Sequence, residues 1–98
     1  MSAQTTDARA YLGYIARRTW RHKSGPTNAT DLLDVAERWA CHWVRRYPSA
    51  RFRGRRAVGS KQRRQAGALY DLLTRDREGA RHLARAAWSD HIRSLETA

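Results

Sequence analysis

The run RRYPSARFRGRRAVGSKQRR, residues 45–64, has the composition of a ligand-binding segment. Nine of its twenty residues are Arg or Lys, and none is Asp or Glu. No acidic residue occurs anywhere between Glu37 and Asp71. Arginine presents a planar fork of donors that suits phosphate groups and guanine edges. The run therefore predicts a binding site for a polyanion.

This predicted site combines the end of one helix, a loop and the start of the next helix. Ser60 can cap the second of these helices, whose free backbone N–H groups attract anions. Phe52 stands among arginines and either anchors the loop to the core or stacks on a base. The candidate nucleic-acid- or partner-binding residues are Arg45, Arg46, Arg51, Phe52, Arg53, Arg55, Arg56, Lys61, Arg63 and Arg64.

Metal and nucleotide chemistry is poorly supported by the remaining motifs. GRRAVGSK, residues 54–61, lacks the Gly-Lys-Ser/Thr order of a phosphate-binding P-loop. His82 and His91 lie on opposite sides of a helix, and the side chains of Cys41 and His42 diverge. We therefore predict no metal site and no cofactor.

Catalysis by an Arg–His pair is the other chemistry considered. Arg17–His22 and Arg77–His82 have a spacing that some small helical ribonucleases use. With arginine at eighteen positions, however, such pairs arise by chance. The sequence therefore predicts no catalytic residue and a non-enzymatic protein.

Net charge and cysteine content narrow the class of protein further. The chain has 98 residues, a formal net charge of +11 and a pI near 11.3. Such a basic domain has the electrostatic character of a nucleic-acid binder. A single cysteine, Cys41, allows no internal disulfide, and no apolar run has signal-peptide or membrane-spanning length. We expect a cytoplasmic protein without a membrane partner.

Four helical segments must position the basic run. They cover residues 7–22, 30–47, 61–74 and 78–95, with Thr6 and Thr30 as N-caps of the first two. Pro48 ends the second segment. We predict an all-α, small four-helix bundle-like single domain over residues 1–98, with residues 1–5 disordered and a basic loop at 48–59 between helices 2 and 3.

Apolar residues recur at steps of three and four along each segment, which predicts one buried face per helix. Trp20 remains undecided between the core and a partly exposed stacking position. Leu33, Val44, Val58 and Leu72 fall off the main stripes, which makes a homodimer plausible. The predicted inward residues are Tyr11, Leu12, Ile15 and Thr19; Leu32, Val35, Ala36, Trp39, Trp43 and Tyr47; Ala66, Leu69, Tyr70 and Leu73; and Leu83, Ala84, Ala87, Trp88, Ile92 and Leu95.

Two functional hypotheses follow. The first is a non-enzymatic nucleic-acid-binding protein, for DNA rather than RNA, whose Arg-rich loop and flanking helix ends contact phosphates. The second is a small phage- or plasmid-type inhibitor or adaptor, in the manner of anti-defence and anti-CRISPR proteins. It would dock its basic face on an acidic surface of a host protein or nucleoprotein machine. A continuous basic ridge favours the first, and an apolar patch beside the charge, centred on Trp20 or Phe52, favours the second.

Overall fold

Four α-helices make up the described part of the chain. The computed structural model describes residues 2–46 and 61–97. The predicted loop at 48–59, together with Tyr47, Val58 and the Ser60 cap, lies outside the described residues. The all-α, single-globule prediction is confirmed. The helices are α1 (Ala3–Thr19), α2 (Ala29–Arg46), α3 (Lys61–Arg75) and α4 (Arg77–Thr97).

The first two helices begin earlier than their sequence signals indicate. Ser2 caps α1, because its Oγ accepts a hydrogen bond from the Thr5 N–H at 3.1 Å. Residues 3–5, predicted to be disordered, are therefore helical. Asn28 caps α2, because its Oδ1 accepts from the Asp31 N–H at 2.8 Å. Both threonine caps were thus predicted wrongly: a residue two to four positions upstream already supplies the side-chain acceptor that a helix start requires.

The core contains side chains from all four helices. Its largest fully buried side chains are Tyr11, Leu12, Ile15, Leu32 and Leu69. α1 packs mainly on α3 and α4, and α2 also packs mainly on α3 and α4. The pairs α1–α2 and α3–α4 touch less and so lie diagonally across the bundle.

Three residues that the sequence left off the apolar stripes belong to this core. Leu33, Val44 and Leu72 are all buried within the single chain. They are therefore not available for dimerisation, because α2 and α3 each contact two neighbouring helices and bury a wider face than one stripe.

The helix α4 buries part of the predicted line: Ala84 and Ala87 are buried, and Leu83 and Trp88 pack half-buried against the core. Its buried residues are Ala80, Ala84, Ala87 and His91. The predicted Ile92 and Leu95 are exposed, with 36% and 38% of their surface accessible. The small alanine side chains allow close helix approach, so the larger apolar residues lie beside the contact rather than in it.

The connection from α1 to α2 depends on close backbone packing at Gly25. The Gly25 N–H donates to the His22 carbonyl at 2.9 Å, and the His22 N–H donates to the Thr19 carbonyl at 3.0 Å. A Cβ atom at residue 25 would lie 2.2 Å from the Thr19 carbonyl oxygen. Only glycine fits this position without moving the backbone.

A single residue, Asp76, joins α3 to α4. Its N–H donates to the Leu72 carbonyl at 2.7 Å, and its own carbonyl accepts from the Ala80 N–H at 3.1 Å. Its Oδ1 caps α4 by accepting from the Gly79 N–H at 2.9 Å. Asp76 therefore ends one helix and starts the next.

Within the described ranges, no helix is both long and apolar enough to cross a membrane.

Candidate functional site

The outward face of α2 carries a row of cationic and titratable side chains. Arg38, His42 and Arg45 follow at steps of four and three, and Arg46 stands beside Arg45. All four are exposed and line one open groove. With a rise of 1.5 Å per residue, Arg38 and Arg45 lie about 10 Å apart along the helix axis. We call Arg38, His42, Arg45 and Arg46 the α2 basic row.

Two tryptophans border the α2 basic row. Trp39 and Trp43, which were predicted to face inward, are half-buried and pack against the core. Their outer edges share a groove with Arg38 and His42. The His42 ring meets the Trp43 ring edge-on at a centroid distance of 5.9 Å. Aromatic surface therefore adjoins the charge along two turns of α2.

The acidic residue in the same groove is already neutralised. Both terminal guanidinium nitrogens of Arg77 on α4 donate hydrogen bonds to the Glu37 carboxylate, at 2.8 and 3.2 Å. These bonds lower the pKa of Glu37 and raise that of Arg77. Arg38 and Arg45 form no ion pair with a described residue. The positive charges of Arg38 and Arg45 are thus available to a ligand.

The predicted residues at the start of α3 have more than one role. Lys61 is exposed, whereas Arg63 and Arg64 are half-buried. Arg64 forms an ion pair with Asp7 of α1, with 3.4 Å between Nε and Oδ2. Reading local sequence alone missed this partner, because Asp7 lies far from the acid-free interval in the chain. Arg64 therefore also joins α3 to α1.

The predicted interface is described at both ends. Arg45 and Arg46 end α2, and Lys61, Arg63 and Arg64 form the first turn of α3. The central predictions, Arg51, Phe52, Arg53, Arg55 and Arg56, lie outside the described residues. Arg38 and His42 extend the candidate surface along α2, and their repeat with Arg45 on the polar side of an amphipathic helix was the signal for them. Trp39 and Trp43, from the apolar stripe, border this surface.

The Arg77–His82 pair considered for catalysis has other contacts. Arg77 binds Glu37, and His82 lies near Glu78 and Arg85, at 3.8 and 3.2 Å. Among residues 2–46 and 61–97, no group of three or more His, Cys, Asp or Glu side chains is placed to hold a metal ion.

His91 is a buried residue that the sequence did not single out. It is 6% exposed and lies between Trp20 and Trp88, with ring centroids 5.9 and 5.5 Å away. Neither ring nitrogen has a hydrogen-bond partner among the described residues. Trp20 is half-buried against His91, and the Arg21 guanidinium lies 4.8 Å from the Trp20 ring centroid. This aromatic cluster closes the bundle where α1 ends.

Comparison with protein-family models, curated proteins and solved structures finds no match to this chain.

Proposed function

We propose that the protein binds nucleic acid without catalysing a reaction, and that the α2 basic row contacts phosphates. The observation that carries this proposal is that Arg38 and Arg45 form no ion pair within residues 2–46 and 61–97, while Arg77 already binds the acid beside them. We expect Lys61, which is exposed at the start of α3, to add a further phosphate contact.

The shape of α2 favours duplex DNA over duplex RNA. α2 has 18 residues, so it is about 27 Å long. The major groove of B-DNA admits an α-helix, whereas the deep, narrow major groove of A-form RNA does not. A helix with cations on its outward side can lie along or in the DNA groove and contact phosphates on either wall.

The partly exposed tryptophans add a second mode of contact. The outer edges of Trp39 and Trp43 lie next to Arg38 and His42, where an unpaired base or a sugar face could pack. Stacking of a base on an aromatic ring contributes about 1–3 kcal/mol. Single-stranded DNA is therefore the second ligand to compare.

The proposal is tested by fluorescence anisotropy on duplex DNA, single-stranded DNA and duplex RNA over a salt series. In the variant Arg38→Ala/Arg45→Ala, the slope of log K against log salt should flatten by about two, because each phosphate contact contributes about 0.9. The matched control is Arg18→Ala/Lys23→Ala, which removes two exposed cations near the end of α1. The control should change the slope by less than half as much.

Two results would overturn the proposal. One is negligible binding to all three nucleic acids at physiological salt. The other is an equal loss in both variants, which would mean that net charge rather than the α2 basic row drives binding.

A protein-docking inhibitor or adaptor is the second candidate. The observation that favours it is the same juxtaposition of arginine and tryptophan on α2, since both residue types are enriched at protein-binding hot spots. Two results together would favour docking instead. The native chain would bind none of the nucleic acids, and it would capture an acidic protein only when Arg38 and Arg45 are present.

A further inference from the structure

The C-terminal half of α4 leaves an apolar line outside the bundle core. Trp88, Ile92 and Leu95 follow at steps of four and three, next to the buried line that contains His91. Trp88 is half-buried, and Ile92 and Leu95 are exposed. Trp88 and Ile92 also line an open groove whose opposite wall includes Ala29 of α2. We call Trp88, Ile92 and Leu95 the α4 seam.

The spacing of the α4 seam is that of a helix-pairing surface. Successive steps of four and three place residues at the a and d positions of a heptad, which face a partner helix. Arg85 occupies the a position one turn before Trp88. The seam therefore covers two heptads, which predicts a small and weak interface.

The charge around the α4 seam is nearly balanced, unlike that of the whole chain. Residues 85–97 contain Arg85 and Arg93 against Asp90 and Glu96, so their formal charges cancel. Asp90 pairs with Arg93 at 3.3 Å and also with Arg9 of α1, which brings one further positive charge to this face. In a chain of net charge +11, such a face repels a second copy only weakly. An acidic partner, by contrast, would be attracted to the α2 basic row.

We propose that the α4 seam is a homodimer interface in which two α4 helices pack antiparallel about a twofold axis beside Ser89. In this register, the axis is level with residue 90 and each Trp88 lies against the Ile92 of the other copy. Arg85 lies against the other copy's Leu95, with the Glu96 carboxylate one residue further on. The surface is thus self-complementary in both apolar contact and charge, which a twofold interface requires.

The first test measures oligomeric state by sedimentation equilibrium over a concentration series, without nucleic acid and at high salt. The native chain should associate reversibly and weakly, as expected of a small interface. Ile92→Glu should weaken dimerisation by about tenfold or more, because a buried apolar side chain becomes charged in both copies. Its circular dichroism and Tm should stay near native, because Ile92 is exposed in the monomer.

The second test exchanges charges. Arg85→Glu and Glu96→Arg should each weaken the dimer, because each places like charges opposite one another. The double variant should restore dimerisation, because both pairs are complementary again. A double variant that is as weak as the singles would contradict this register.

The third test is a disulfide cross-link. Ser89→Cys, in a Cys41→Ser background that removes the native thiol, should form a covalent dimer under mild oxidation. Thr74→Cys, exposed on α3, is the control and should not. A native chain that stays monomeric at all concentrations, or equal cross-linking of the two cysteines, would overturn the proposal. Because no nucleic acid is present, these results are independent of the proposed DNA binding.

Discussion

His91 links the protonation of one side chain to the packing of two helices. Burial lowers the pKa of His91, and the nearby positive charge of Arg17 lowers it further. The ring lies between Trp20 of the α1 C-terminus and Trp88 of α4. A proton on this ring would create a charge among apolar groups, with no hydrogen-bond partner among the described residues.

We predict that the protein loses stability as the pH falls below about 6.5. In the unfolded chain His91 binds a proton near that pH, whereas in the folded chain it stays neutral to lower pH. The unfolded state then binds more protons, so the free energy of unfolding decreases with falling pH. Thermal melts between pH 7.5 and 5 stay above the range in which carboxylates titrate. Over this range, Tm should decrease less with falling pH in the His91→Leu variant than in the native chain.

His82 supplies the control for this measurement. It is exposed on the same helix, so His82→Leu should leave the pH dependence of Tm close to native. Equal pH dependence in the native chain and the His91→Leu variant would contradict the assignment. The effect of Glu37 belongs to a lower window, because its depressed pKa confers stability that is lost only in acid.

At the scale of the helices, the α3–α4 corner depends on one side chain. Asp76 Oδ1 caps α4 at the Gly79 N–H, and Gly79 has no Cβ to displace that carboxylate. A Cβ atom at residue 79 would lie 2.4 Å from Asp76 Oδ2. The aspartate and the glycine therefore act as a unit.

We predict that Asp76→Ala lowers the free energy of unfolding by about 1 kcal/mol, the usual cost of losing an N-cap. Asp76→Asn should keep most of this stability, because asparagine also caps. Gly79→Ala should cost little once Asp76 is already alanine, because the clash is with the aspartate carboxylate. Urea unfolding of the native chain, Asp76→Ala, Gly79→Ala and the double variant measures this coupling. Strictly additive losses of stability would contradict it.

Helix existence and type could be predicted from sequence, and helix faces only in part. Periodic apolar residues identified all four helices, and the end of α3 was placed to within one residue. The α4 face was predicted correctly at Ala84 and Ala87 and wrongly at Ile92 and Leu95, because its apolar pattern has two adjacent lines. Periodicity cannot show whether alanines or the larger Ile92 and Leu95 will be buried, since that depends on how closely α1 and α2 approach.

The candidate site shows the same division between local and long-range information. The basic ends of α2 and α3 are visible as a run in the sequence. The ion pairs Glu37–Arg77 and Asp7–Arg64 are not, because each joins residues at least 40 positions apart. These pairs decide which cations remain available for a ligand, and only the packing of the helices fixes them.

On the scale of the whole molecule, repulsion between like charges opposes folding. The net charge is +11, whereas the surface ion pairs between helices contribute at most about 1 kcal/mol each. Salt weakens both effects, but the surplus of cations exceeds the number of pairs. Screening should therefore stabilise the fold.

We predict that Tm rises by a few degrees between low and about 0.5 M NaCl, where the screening length falls to a few ångströms. Differential scanning calorimetry without nucleic acid measures this. Potassium chloride is the control for sodium-specific effects. A Tm that decreases with salt would mean that the ion pairs outweigh the repulsion.

The four tryptophans divide into two spatial groups, and this division gives the protein two separate optical signals. Trp20 and Trp88 flank the His91 imidazole, so their emission reports the state of the bundle end and its protonation. Trp39 and Trp43 lie along the α2 groove, so their emission reports what occupies that surface. Variants that keep only one of the two tryptophan groups should therefore report either the bundle end or the α2 groove by intrinsic fluorescence.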